Sequence, residues 1–66
     1  MYGFIEVYEE SDKALVLVNI ATLIKVVPRK EGAYLHLAVQ NARGLPYVVS
    51  TSDSYEEVKA KIQAAQ

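Results

Sequence analysis

The chain has 66 residues, 52% of them apolar and 23% charged, with a net charge of −1 and no Cys. That length allows one domain, spanning residues 1–66, and so small a domain buries only about 60% of the surface its unfolded chain exposes. Disulfides are excluded, and a structural zinc site has only His36 to draw on, so self-association is the remaining way to reinforce the core.

The near-balance of charge gives no general pull toward nucleic acid or an anionic membrane surface. Glu6, Glu9, Glu10 and Asp12 stand where a signal peptide would be basic and then apolar. Tyr2 rules out N-myristoylation. The longest nearly apolar stretch, from Ala14 to Ile24, is interrupted by Asn19 and Thr22, and it falls short of the roughly 20 residues of a spanning helix. The absence of Cys fits a reducing compartment, and the expected location is the cytoplasm.

Short runs rich in Val, Ile, Leu and Tyr, separated by turn residues, read as strands. The first runs from Tyr2 to Glu9, with Ile5 and Val7 on one face and Phe4, Glu6 and Tyr8 on the other. A polar turn, Glu10 to Lys13, leads into Ala14 to Ile20. Here Leu15 and Leu17 face one way and Val16, Val18 and Ile20 the other, so both faces ask for cover. A bend or short 3₁₀ turn is expected over Asn19 to Leu23. The third strand, Ile24 to Arg29, carries Pro28, which cannot donate to a ladder and belongs on an edge or at a strand end. Arg29 to Gly32 forms a hairpin turn. The fourth strand, Ala33 to Val39, alternates Leu35, Leu37 and Val39 inward with Tyr34, His36 and Ala38 outward. After a second turn, Gln40 to Gly44, a fifth strand covers Leu45 to Ser50.

The period then changes. Ser54 followed by Glu57 is a capping box, and Glu56 and Glu57 place negative charge where the helix dipole favours it. Tyr55, Val58, Ile62 and Ala65 recur at helical spacing, and Glu57 and Lys61 are spaced as an i, i+4 pair. A helix of about ten residues cannot hold in water alone and must pack on the sheet. The expected fold class is therefore α+β: about five short, mainly antiparallel strands in a curled sheet or small open barrel, with one C-terminal helix.

Catalytic constellations are not visible. His36 has Tyr34 and Ala38 as its same-face neighbours, and neither is the carboxylate that would position it as a general acid or base. The acidic group Glu6, Glu9, Glu10 and Asp12 lacks the spacing and the Gly of a calcium loop and reads as a solvated turn. Ser50, Thr51 and Ser52 read as a polar connection, and the isolated Gly3, Gly32 and Gly44 make no phosphate loop. No catalytic, cofactor-binding or metal residue is assigned, and no cofactor is expected. Lys25, Arg29, Lys30 and Arg43, with Tyr34 and Tyr47, are the residues a single-stranded nucleic acid would use.

The most informative feature is the apolar excess. One helix covers one face of a small sheet, whereas the first two strands are apolar on both, and monomers rarely expose large contiguous apolar patches. Tyr2, Phe4, Tyr8, Val16, Val18 and Ile20 are the expected subunit interface, most simply of a two-fold homodimer.

Three runs carry a family resemblance: an opening strand and hairpin leading into Val18-Asn-Ile20, a hydrophobic strand, turn and second strand over Tyr34 to Val49, and Ser54-Tyr-Glu-Glu-Val58 opening the last helix. In this order the chain resembles the flagellar FlbD-type family of small bacterial proteins. The turn Asn41-Ala-Arg-Gly-Leu-Pro46 departs from the short turn usual there. The resemblance implies a non-enzymatic accessory protein with no catalytic residues to carry over. The expected function is a non-catalytic interaction module that self-associates and can bind another protein. The alternative is a small nucleic-acid-associated regulator.

Overall fold

The computed structural model describes residues 3–66. Five strands, β1 (Phe4–Glu9), β2 (Ala14–Asn19), β3 (Leu23–Arg29), β4 (Gly32–Gln40) and β5 (Pro46–Thr51), precede one helix, α1 (Tyr55–Ala65). A 3₁₀ turn, Ile20–Thr22, joins β2 to β3. The strands form one antiparallel sheet in the order β2-β1-β5-β4-β3. The sheet is open: β2 and β3 are its two edges, and the barrel alternative is not realised.

Connectivity forces the sheet to curl. Five strands about 4.8 Å apart would put the outer two about 19 Å apart if flat. The four residue steps from Asn19 to Leu23 reach at most about 14 Å fully extended, and part of that segment is wound into the 3₁₀ turn. The edges must approach each other at that end, giving the sheet an inner and an outer face. Asn19 holds the corner: its side chain accepts from the Ala21 amide at 2.9 Å, and its carbonyl accepts from the Thr22 hydroxyl at 2.7 Å.

The inner face is the core. Ile5 and Val7 of β1 lie across the ladder from Val18 and Val16 of β2. Leu35 of β4 lies across from Val49 of β5. Helix α1 closes this layer with Val58 and Ala65, both buried, and Ile62 packed against it. Tyr55 is on the rim and exposed. Val39, expected inward, is also exposed. Beyond His36 the β4–β5 ladder shifts register before resuming at Gln40 and Pro46, which takes Val39 out of the layer.

The helix begins as its sequence requires. Ser54 Oγ accepts from the Glu57 amide at 3.1 Å, and the Glu57 carboxylate accepts from the Ser54 amide at 3.1 Å. Glu57 is thereby engaged at the cap, and Lys61 has a different partner from the one its spacing suggested. Its ammonium donates to Asp53 Oδ2 and to the Glu6 carbonyl, each at 2.6 Å. The reason lies in the sheet: β5 ends at Thr51, so the Glu6 carbonyl on β1 has no strand beside it and accepts from the ammonium instead.

Glycine is required at one turn. Gly32 has φ +143°, and a Cβ there would lie 2.0 Å from the Thr51 carbonyl oxygen. Two substitutions should therefore rank differently in urea unfolding. Ser54→Ala should cost about 1 kcal/mol, the loss of one cap. Gly32→Ala should cost more than about 2 kcal/mol, because strain and a backbone collision coincide. Equal midpoints for the two variants would contradict this packing.

Candidate functional site

The structure divides the expected interface residues between the two faces of the sheet. Val18 is buried in the core, and Val16 and Ile20 pack against it. Their side chains are engaged on the inner face, away from the outer face of the hairpin. Alternation of β2 left the covered face open, because Leu15 and Leu17 suit a core as well as Val16 and Val18 do. The helix takes the Val face. Phe4 and Tyr8 lie on the outer face, Phe4 at 40% exposure and Tyr8 half-buried. Tyr2 lies outside the described residues.

What the sequence missed is the pair beside them. Leu15 is 63% exposed and Leu17 52%. The β1–β2 register sets Tyr8 opposite Leu15 and Glu6 opposite Leu17, with Phe4 one pair further along. Side chains on one face of such a ladder touch their cross-strand and diagonal neighbours. Phe4, Tyr8, Leu15 and Leu17 thus make one apolar patch on the outside of the hairpin, with Glu6 within it. The signal was present in sequence: whichever face of β2 the helix covers, two large aliphatics remain on the other.

The two edges of the sheet differ. Edge β3 carries Lys25, Pro28 and Arg29, and its ladder is irregular between Leu23 and Lys25. Charges, proline and bulges are the usual means by which an edge is kept from pairing with another strand. Edge β2 reads Ala-Leu-Val-Leu-Val-Asn, with no charge and no proline, in unbroken register.

A second feature lies at the open end of the inner face. A cleft of about 260 Å³ is walled by Val16, Val18, Leu37 and Val49, with Glu9, Asp12 and Tyr47 at its polar end. Glu9 was expected in a solvated turn. Its side chain instead points inward from the last position of β1, at 4% exposure, with the Ser11 hydroxyl donating to Oε2 at 3.2 Å. The Glu9 charge, followed by burial, the Asp12 charge and a hydrogen bond to Glu9, pushes the Tyr47 hydroxyl above its ordinary pKa of 10.0.

The remaining polar residues are dispersed. Glu10 is paired with Arg29, and Glu9 points to the opposite face, so the acidic group is split. Among the described residues, no three His, Cys, Asp or Glu side chains are placed to hold a metal ion. His36 sits between Lys25 and Val48 across the ladders. Arg29 lies over the Tyr34 ring, 5.3 Å from its centroid, on the outer face. Tyr47 packs against the core on the inner face. The two tyrosines a nucleic acid would stack on therefore do not share a surface.

Comparison with protein-family models, curated proteins and solved structures finds no match for this chain.

The raised Tyr47 pKa has a consequence at alkaline pH. The folded state disfavours the phenolate, so the contribution is fully present below pH 10 and is lost as pH rises through the folded-state pKa. Tyr47 should ionise late in an ultraviolet titration, and Tyr47→Phe should remove that late step. An unchanged titration tail in the variant would contradict the Glu9–Tyr47 contact.

Proposed function

We propose that this chain is a non-catalytic interaction module that self-associates, most simply as a two-fold dimer, through the β1–β2 hairpin. The observation that carries the reading is the patch of Phe4, Tyr8, Leu15 and Leu17, built on the hairpin whose opposite face already supplies the core. Apolar surface left in water forgoes about 25 cal/mol per Å², or several kcal/mol for a patch of a few hundred Å². That is comparable to the whole stability of a small domain. A two-fold contact between hairpins brings the two patches together with a single self-complementary surface. The resemblance to the flagellar FlbD-type family points the same way, toward an accessory protein.

Solution mass tests the reading. The wild-type chain at micromolar concentration should give about twice its monomer mass by light scattering, and Leu17→Glu should give the monomer mass with its far-ultraviolet circular dichroism retained. Glu is tolerable there because Leu17 is more than half exposed, and surface changes of that kind cost little stability. A wild-type monomer across that concentration range would contradict the proposal.

A further inference from the structure

The geometry points to a specific mode of self-association: two copies pair their β2 edges antiparallel about a two-fold axis at Val16, making one continuous ten-stranded sheet. This rests on the self-association reading above and adds the strand, the register and the axis.

The hydrogen-bonding phase of the hairpin fixes which groups are free. The Ile20 amide donates to the Gly3 carbonyl at 3.0 Å. Hydrogen-bonded and non-bonded pairs alternate along an antiparallel ladder. With the observed register, the bonded pairs are therefore Ile5 with Val18, Val7 with Val16 and Glu9 with Ala14. Two contacts on the far side of β1 agree with this phase: the Glu10 amide donates to Ser50, and the Glu6 carbonyl accepts from Lys61. On β2, then, Val16 and Val18 spend their backbone groups on β1. Leu15, Leu17 and Asn19 turn theirs toward the open edge.

The Asn19 carbonyl is already taken by the Thr22 hydroxyl at 2.7 Å, and the chain turns away there. That removes the register centred on Leu17, which would set Leu15 against Asn19. Leu15 and Leu17 remain, each with a free amide and carbonyl. They complement each other when Leu15 of one copy faces Leu17 of the second, which centres the axis on Val16. Four backbone hydrogen bonds form. The outer face then carries a row of Glu6 and Leu17 from one copy followed by Leu15 and Tyr8 from the other, repeated by symmetry. A second copy is the occupant the edge fits, because β2 supplies in itself the strand length, apolar character and spacing of free groups it would bind. The guarded β3 edge offers no such match.

Cysteine placement reads the register directly, since the chain has no Cys of its own. Val16→Cys, Leu17→Cys and Leu15→Cys are each exposed to mild oxidation at micromolar concentration, with light scattering on the reduced forms. At the axis, Val16 forms a non-hydrogen-bonded pair with its own copy, at a Cα separation of about 4.5 Å that suits a disulfide. Val16→Cys should become a covalent dimer at least about tenfold faster than the other two, although its side chain is the least exposed of the three, because disulfide formation requires that proximity. Fastest cross-linking of Leu17→Cys would overturn the Val16 axis in favour of the register centred on Leu17. A dimeric mass with no cross-link at any of the three positions would overturn edge pairing while leaving self-association intact. A monomeric mass for all reduced forms and for the wild type would overturn both, and would leave the edge to a strand from another protein.

Discussion

The fold depends on the seam where β5 meets β1. Along that seam the sheet is joined by one pair, Glu9 with Thr51, and by the bond from the Glu10 amide to the Ser50 carbonyl. Thr51 is fully buried. Its hydroxyl accepts from the Asp53 amide at 3.1 Å, turning the chain toward the helix, and its carbonyl accepts from Arg29 at 3.2 Å. The same carbonyl leaves no room for a side chain at position 32. Arg29 also pairs with Glu10 across the outer face. A partly exposed ion pair of this kind adds at most about 1 kcal/mol. The seam therefore holds chiefly through burial and backbone fit, with Lys61 closing its far side on Glu6 and Asp53.

From that seam follows the division of labour between the two faces. The hairpin β1–β2 swings over the inner face of β3–β4–β5, the 3₁₀ turn ties the edges at one end, and α1 fills the rest. Inside, each strand finds cover within the chain. Outside, the hairpin keeps two exposed leucines and a phenylalanine, and β2 keeps a row of free backbone groups along an edge without charge or proline. The two leucines and the free backbone groups belong to β2, and pairing of two β2 edges would satisfy those groups and set the leucines of the two copies side by side. A chain of this size has little stability to spare, which makes such a surface expensive to leave in water.

Much of the architecture was legible because the local signals agreed. Period-two runs gave five strands, Pro28 pointed to an edge or a strand end, and Ser54 with Glu57 marked the start of the helix. Where reading failed, two arrangements were locally equal. Leu15-Val16-Leu17-Val18 satisfies a core on either face, so the sequence could not say which pair the helix would cover, and the expected interface mixed residues of both. Glu9 and Thr51 looked like turn residues because they are polar. Each is the last inward position of its strand, and their burial arises from a long-range pairing that local composition does not carry. Lys61 was matched to Glu57 by spacing, but the cap uses Glu57, and the end of β5 creates a carbonyl that needs the ammonium. The candidate surface was thus half legible: the hairpin could be named, its outward pair could not.

Amide hydrogen exchange as a function of protein concentration tests the central claim most directly. Val16 and Val18, bonded to β1 within the chain, should be protected at every concentration. Leu15 and Leu17 should exchange freely in dilute solution and become protected as concentration rises into the range where the mass doubles. Fast exchange at Leu15 and Leu17 at all concentrations would contradict the account, because the β2 edge would then remain in water whatever the protein's state of association.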